Sequence, residues 1–433
     1  MLTRHRREWL SPVDASWFRM ENRRDPADVV VLMLFDEPLD DGRLRAAVEE
    51  HLLTKPRFRR RVVDSWLALA PPRWEDESDF SLDAHFRRHR LVHGGDEALA
   101  GLVSDIVNEP IDFRRSPWSL VVVDGVGNGS ALVARVHHCM GDGFALLDIL
   151  LSLADAPKRS AGPPDSGGRQ PAAKGQGWWG WSMTNARVLR ELTTALWQLV
   201  ALPFDPPTRL RNMPSGERRI AWSEPVPLER VKELARAHDA TVNDVLMAAL
   251  AGACRRYMLQ HGERPTPFRA IVPVNLRPPD ERTDGEAGNW FGLIFLELPL
   301  DVSPPAVRLA RLQQAMGRIK QSKQAAATLG ILAALGRSPL FVDRLVQGIF
   351  ARKGSMVVTN LRGPADALCV AGSRLREMCF WVPHPCGLGC GASILSYAGS
   401  VRVAFRTDAA VIPDPEALVR CLRDELATFD AVD

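Results

Sequence analysis

The chain has 433 residues, 46% of them hydrophobic and 25% charged, with a formal net charge of +3. That length exceeds one ordinary core and predicts two domains of a soluble globular protein. Near-balanced charge leaves no electrostatic footprint for nucleic acid. Seven cysteines, odd in number and mostly far apart, fit a reduced cytosolic protein better than a disulfide framework.

In chain order, the basic start MLTRHRREWLSPVD has no apolar stretch behind it, so no secretory signal is expected. Val29–Phe35 (VVVLMLF) reads as a buried strand, and Asp41–Leu53 and Ala98–Val107 have helical spacing. Leu120–Val123 and Ala131–Val136 read as strands around the turn GVGNGS. The second of these runs into two adjacent histidines, then an Asp142-Gly143 turn and a helix over Phe144–Leu153. Ala156–Gly177 has a linker composition. After Trp178, Trp179 and Trp181 a helical segment is expected to about Leu202, packing on the other domain or docking at a bilayer surface. The apolar run Leu192–Phe204 is too short for the roughly 20 residues of a membrane span.

In the second half, Pro227 opens a helix over Leu228–Ala237, and Thr241 opens another, with Asp244 at near capping-box spacing. Strands are expected at Arg269–Asn275, Phe291–Leu298, Ser355–Asn360, Arg376–Val382, Ala392–Tyr397 and Val401–Arg406, the last two as a hairpin. Helices are expected at Ala306–Lys323, Ala325–Leu335, Pro339–Phe350 and Pro415–Phe429, the last capped by Asp414. The resulting division is 1–155 for an N-terminal domain, 156–215 for a linker with its Trp-rich helix, and 216–433 for a C-terminal domain. Strands and helices mixed in both halves suggest two α/β sandwiches facing each other.

The two histidines define the candidate chemistry. Side chains alternate faces along a strand, so His137 and His138 point opposite ways and only one can face a given cleft. An imidazole with an ordinary pKa near 6.5 is largely neutral at pH 7 and can take a proton from an attacking alcohol. Such a base contributes typically ~10²–10⁴-fold in rate. Asp142 can cap the next helix, and His137 reads better as a core residue with its nitrogens satisfied. A metal at the pair would need further ligands. A second cluster, Cys379, His384, Cys386 and Cys390, lacks paired CxxC elements, and buried thiols and loop residues are the preferred reading there, with no metal expected.

Spelled out, His137–Gly143 is HHxxxDG. This resembles the signature of the acyl-CoA-dependent acyltransferase superfamily, which includes chloramphenicol acetyltransferases and peptide-synthetase condensation domains. LSPVDASWFRMEN (Leu10–Asn22), ending near Glu21, is similar to the N-terminal signature of bacterial wax ester synthase/diacylglycerol acyltransferases. PIDFRRSPW (Pro110–Trp118), ATVNDVLMAALAGACRRY (Ala240–Tyr257), VPVNLRP (Val272–Pro278), GNWFGLIFLELPL (Gly288–Leu300) and VVTNLRGP (Val357–Pro364) resemble further blocks of that family, in the expected order. Ser116-Pro117-Trp118 departs from the family's Pro-Leu-Trp ending, and Leu361-Arg362 stand where its Asn-Val-Pro-Gly-Pro block has Val-Pro.

The resemblance implies an α/β (α+β) fold of two chloramphenicol-acetyltransferase-like domains, each a mixed sheet flanked by helices, with a tunnel between them. It implies O-acyl transfer from acyl-CoA, as co-substrate with no cofactor, to a fatty alcohol or diacylglycerol. His138 becomes the catalytic base, His137 its supporting neighbour, and Asp142 a residue that fixes the turn and pairs with a distant arginine, for which Arg277 is the candidate. Gly143, Asn243, Asp244, Asn360 and Glu21 carry over as substrate-binding residues, although Asp244 also reads as a helix cap and Asn243 as a packing residue. Cys139 adjoins the base, but the family pattern needs no covalent acyl-enzyme. A cytoplasmic protein is expected, with peripheral contact at the inner membrane or a lipid-droplet surface. Two rival readings share the motif or the apolar content: a condensation-type enzyme using a carrier-protein thioester, and a non-catalytic lipid-binding protein.

Overall fold

The computed structural model describes residues 8–22, 24–64, 71–92, 95–155, 194, 197, 199–211, 213–277, 289–338 and 340–430. The expected linker Ala156–Gly177 and Trp178, Trp179 and Trp181 lie outside them. The first half holds strands β1 (Glu8–Trp9), β2 (Asp28–Phe35), β3 (Arg60–Val63), β4 (Arg73–Asp76), β5 (Phe86–Arg90), β6 (Trp118–Val126) and β7 (Gly129–His137). Its helices are α1 (Pro12–Met20), α2 (Asp41–Ala47), α3 (Asp96–Asn108) and α4 (Gly143–Leu151). The second half holds β8 (Arg218–Trp222), β9 (Val226–Pro227), β10 (Phe268–Asn275), β11 (Phe291–Leu298), β12 (Met356–Arg362), β13 (Cys369–Val370), β14 (Ser373–Trp381), β15 (Cys390–Tyr397) and β16 (Ser400–Asp408). Its helices are α5 (Leu228–Ala237), α6 (Val242–Gln260), α7 (Pro305–Lys320), α8 (Gln324–Leu335), α9 (Leu340–Ala351) and α10 (Pro415–Asp430).

Two mixed sheets form the body. One runs β13-β14-β2-β7-β6-β5, the other β11-β10-β12-β15-β16-β8, and β1, β4 and β3 make a small third sheet. Every residue of β2 is buried, as its unbroken apolar run requires of a strand covered on both faces. Val30, Leu32 and Leu34 share a core with α3, and Val29, Val31, Met33 and Phe35 join the core around α1 and α4. In the other sheet β10–β12 and β12–β15 are parallel pairs, and their apolar side chains share one core with α6, α7 and α10. Thr241 and Asp244 form a reciprocal capping box that starts α6. Among the described residues no helix is long and apolar enough to cross a membrane.

The sheets cross the expected domain boundaries. β14, deep in the second half of the sequence, pairs with β2 through Trp381↔Val30, so the first sheet is completed by a strand from residues expected in the C-terminal domain. The helix expected over Asp41–Leu53 ends at Ala47 and widens into a π-helical turn at Val48–Leu52. Helix α1 was not expected from periodicity because it is short. Its start is nevertheless written in the sequence: Ser11 Oγ accepts from the Asp14 amide at 3.1 Å, and Pro12 occupies the first turn.

Candidate active site

The site forms where β7 ends. His137 is the last residue of the strand, and its amide donates to the Pro117 carbonyl at 2.9 Å. His138 begins a tight 3-10 turn, and its amide donates to Ala27 O at 2.8 Å. The strand's alternation sends the two rings apart. The His137 ring packs edge-on against Phe113, with centroids 5.0 Å apart, whereas the His138 ring lies flat on Trp17, 3.9 Å away with planes 9° apart. His138 lines an apolar cavity of about 1070 Å³, counted with its open mouth, and His137 does not.

The wall of this cavity comes from α1, the segments that follow β7 and β14, strands β10, β11 and β12, and helices α8 and α9. Ile271, Phe291, Leu293, Phe295, Val357 and Ile331 supply most of its apolar surface. Burial holds the His138 pKa down to about 3, so this imidazole is neutral at physiological pH. Its Nδ1 is sealed and has no aligned partner. The ring leans toward its own carbonyl oxygen, which favours the proton on Nδ1 and leaves the Nε2 lone pair as the open one.

His137 faces different surroundings. Its Nδ1 accepts from the Cys139 amide at 3.1 Å, and its Nε2 lies 3.4 Å from a Glu21 oxygen, too poorly aligned for a hydrogen bond. Burial works against charge on this ring, but Cys139 and the Glu21 carboxylate outweigh it and raise the pKa above that of an ordinary imidazole. The amide bond points the other way, to a single proton on Nε2, because a proton on Nδ1 would meet the Cys139 N–H head-on. The geometry decides for the singly protonated ring facing Glu21.

Three residues fix the turn that carries His138. Asn289 Nδ2 donates to the His138 carbonyl at 2.8 Å and to Asp14 Oδ1 at 2.7 Å. Arg57 Nη1 donates to Met140 O at 3.0 Å and lies 3.2 Å from Asp14 Oδ2. Asp14 thus joins both ends of the turn, although burial raises its pKa against the opposing pull of Arg57. Sequence reasoning missed Asp14, Asn289 and Arg57. Two of them sit inside the quoted blocks LSPVD and GNWFG, where nothing local in the sequence marks them as buried.

A second clamp lies behind the turn. In the β2–β7 register Asp28 stands opposite His137. Its carboxylate accepts from Arg135 Nε at 2.8 Å and from Arg406 Nη2 on β16 at 2.8 Å. Burial opposes this charge, and the two guanidiniums outweigh burial, holding the carboxyl well below the usual range. The pair Asp28–Arg406 is separated by 378 positions in sequence and joins the two sheets directly.

The other expected residues fall as follows. Asp142 caps α4 through the Ala145 amide at 2.9 Å and accepts from the Trp290 amide at 3.0 Å, and Arg277 Nη2 lies 3.6 Å from Asp142 Oδ2. Burial raises the Asp142 pKa against these donors. Gly143 lines the cavity. Asn360 Nδ2 donates to Asn243 Oδ1 at 2.9 Å, which joins α6 to β12, but neither residue lines the cavity. Asp244 Oδ2 and the Asp244 amide form the capping box, a Glu21 oxygen accepts from the Ala27 amide and lies near His137, and neither acid lines the cavity. Cys139 is fully buried in the core and lines no part of the cavity. Among the described residues no group of three or more His, Cys, Asp or Glu converges as metal ligands. In the PHPCGLGC segment His384 Nδ1 instead meets Leu388 O at 2.6 Å.

Two mixed α/β domains with HHxxxDG at an apolar cavity between their sheets define the architecture of acyltransferases of the condensation and chloramphenicol-acetyltransferase type. The sequence matches the wax ester synthase/diacylglycerol acyltransferase catalytic domain over residues 10–246 and the C-terminal domain of the same enzymes over residues 287–429. The chain therefore belongs to the wax ester synthase/diacylglycerol acyltransferase family, and it is an acyltransferase. It is 26% identical over 447 residues to the probable diacylglycerol O-acyltransferase tgs1 of Mycobacterium tuberculosis, covering 98% of this chain and 96% of that one. Identity to the probable diacylglycerol O-acyltransferase tgs2 of the same species is 26% over 450 residues, with 97% and 98% covered. A solved wax ester synthase/diacylglycerol acyltransferase from Marinobacter aquaeolei VT8 shares the fold with a TM-score of 0.72 at 23% identity, covering 98% of this chain and 99% of that one. The first condensation domain of the calcium-dependent antibiotic synthetase shares it with a TM-score of 0.62 at 17% identity, covering 98% and 95%.

Proposed function

We propose that the chain moves a long-chain acyl group from acyl-CoA to a fatty alcohol or diacylglycerol, with His138 Nε2 as general base. The observation that carries this reading is a neutral imidazole, sealed at one nitrogen and open at the other, on the wall of an apolar cavity. The acceptor hydroxyl gives its proton to Nε2 as its oxygen attacks the thioester carbon. The tetrahedral intermediate then collapses, and the CoA sulfur leaves with the proton held on His138. No covalent acyl-enzyme is required, which agrees with the burial of Cys139. Asp142 and Arg277 hold the turn, and Asn289, Asp14 and Arg57 hold the carbonyls at its two ends. The reading requires no metal or other cofactor.

An apolar lining suits acyl chains on both donor and acceptor better than a charged peptidyl carrier arm. Peripheral contact with a lipid surface also fits. Trp197, Val200, Phe204, Leu345 and Ile349 are exposed apolar residues, and α9, which carries Leu345 and Ile349, lines the cavity through Gln347, Phe350 and Ala351. A thiol-release assay with palmitoyl-CoA against long-chain alcohols and diacylglycerols tests the proposal. CoA release dependent on such an acceptor is expected. Release only from an acyl-carrier thioester, or binding of acyl chains without any release, would contradict it.

A further inference from the structure

As the alcohol attacks, negative charge builds on the thioester oxygen, and a donor in a water-poor site must meet it. Three buried polar atoms without a hydrogen-bond partner belong to residues that line the cavity: His138 Nδ1, Trp17 Nε1 and Thr359 Oγ1. The first belongs to the base itself. The Trp17 indole lies flat on the imidazole, so its N–H runs parallel to the base instead of facing it across the cavity. The remaining polar side chains of the wall are already engaged. The Thr328 hydroxyl accepts from Leu293 N and donates to backbone carbonyls, Gln347 bonds Ser16, and Asp142 takes two backbone amides.

Thr359 sits on β12, where the strand's alternation decides what each side chain meets. Val357 and Thr359 line the cavity, while Val358 enters the core under α6 and Asn360 turns to Asn243. Leu361, next on the same side as Thr359, stands close to the histidine turn: its Cδ1 would lie 3.7 Å from a Cβ added at Gly143. One pleat repeat, roughly 7 Å, separates Thr359 from that contact. Thr359 therefore belongs to the C-terminal wall near the turn that presents His138, and its buried hydroxyl has no protein partner.

We propose that the Thr359 hydroxyl is the oxyanion donor of this acyl transfer, an assignment that rests on the reading of His138 as base. When the acceptor oxygen bonds to the thioester carbon, its proton passes to His138 Nε2 and the carbonyl electron pair moves onto oxygen. The Thr359 O–H donates a hydrogen bond to that oxygen. The C=O bond then re-forms, the C–S bond breaks, and the sulfur takes the proton back from Nε2. Nothing is oxidised or reduced, and Thr359 keeps its own proton throughout.

The test is thiol release from palmitoyl-CoA with hexadecanol by the purified full chain carrying Thr359→Val, Thr359→Ser, Trp17→Phe or His138→Ala, with thermal melting of each variant. Thr359→Val is expected to lower kcat roughly 10²–10³-fold with little change in KM. Its melting temperature should equal or exceed that of the unaltered chain, because it removes a buried hydroxyl that has no partner. Thr359→Ser should retain most of the turnover, and Trp17→Phe should lose less than Thr359→Val. Near-normal kcat in Thr359→Val overturns the proposal, as does a loss confined to Trp17→Phe. Equal losses in Thr359→Val and Thr359→Ser with lowered melting temperatures also overturn it, since they mark a packing role. Inactive His138→Ala beside a fully active Thr359→Val defeats this assignment alone, whereas fully active His138→Ala defeats the base assignment beneath it.

Discussion

The two sheets contribute to the same cavity in different ways. The first delivers the imidazole at the end of β7 and surrounds its turn with bonded polar groups, namely Glu21, Asp28, Arg135, Asp14 and Arg57. The second contributes mainly apolar wall, from Ile271 and Pro273 on β10, Phe291, Leu293 and Phe295 on β11, and Val357 on β12. The base is thus presented by one half, while the other gives most of the apolar shape and also sends Asn289 to the His138 carbonyl and carries Thr359. The Asp28–Arg406 ion pair ties β2 of the first sheet to β16 of the second, and Glu377 on β14 pairs with Arg402 on β16. Changes on the first side should alter kcat or stability, and changes at the apolar wall of the second should alter which chains are accepted.

The largest effect that would sharpen this contrast is expected at Asp28. Asp28→Ala leaves Arg135 and Arg406 buried without their carboxylate, and should cost roughly 3–5 kcal/mol in chemical denaturation. A loss below 1 kcal/mol would show that the two sheets do not depend on this clamp. Asp142→Ala removes the cap of α4 and the acceptor for the Trp290 amide. A cost of about 2 kcal/mol is expected from the cap, with reduced thiol release because the amide before Phe291 loses its anchor.

The pH dependence has a defined sign. His138 is held down to about 3 in the native chain by burial, while in the unfolded chain it protonates near pH 6.5. Between those values the unfolded state binds the extra proton, so native stability falls as pH drops below about 6.5, by up to ~1.4 kcal/mol per pH unit, and is flat above it for this group. Denaturation of His138→Gln and the unaltered chain from pH 7 to pH 5 should show a shallower fall in the variant, because His384, also held down by burial, contributes equally to both. Asp28 acts over a lower range: its depressed pKa stabilises the fold at pH above the ordinary carboxylate range and loses that contribution as pH falls through it. For the same reason kcat/KM should have no acid limb near pH 6.5. The smallest effect belongs to the apolar wall. Ile331→Trp on α8 narrows the cavity, and should lower the palmitoyl-CoA to octanoyl-CoA rate ratio roughly tenfold while leaving the shorter donor little affected. An unchanged ratio would mean that this wall does not hold the acyl chain.

The sequence carries much of this in unequal ways. Phe291–Leu298 and Leu228–Ala237 end where apolar pattern and helix signals place them, because packing and local propensity agree there. The separation of His137 from His138 also follows from strand alternation alone. The Asp142–Arg277 approach came from resemblance, not from spacing, since the two residues lie on different elements. Asp14, Asn289 and Arg57 were illegible for a related reason: their function is to meet one another at a turn, and a buried polar residue looks the same in sequence as an exposed one. Glu21 and Asp244 were read as substrate contacts because they sit in shared blocks, yet a block is kept together by caps and bridges as well as by ligands. β14 shows the limit of reading domains in order, because its pairing with β2 is a long-range event that no local pattern records.

The most direct test of the account is acceptor-dependent thiol release by His138→Ala, compared with the unaltered chain at pH 7 after both are shown to melt as folded proteins. Loss of roughly 10²–10⁴-fold in kcat is the predicted result. Turnover within a few-fold of the unaltered chain would contradict it, and would move the proton transfer to a group other than the imidazole stacked on Trp17.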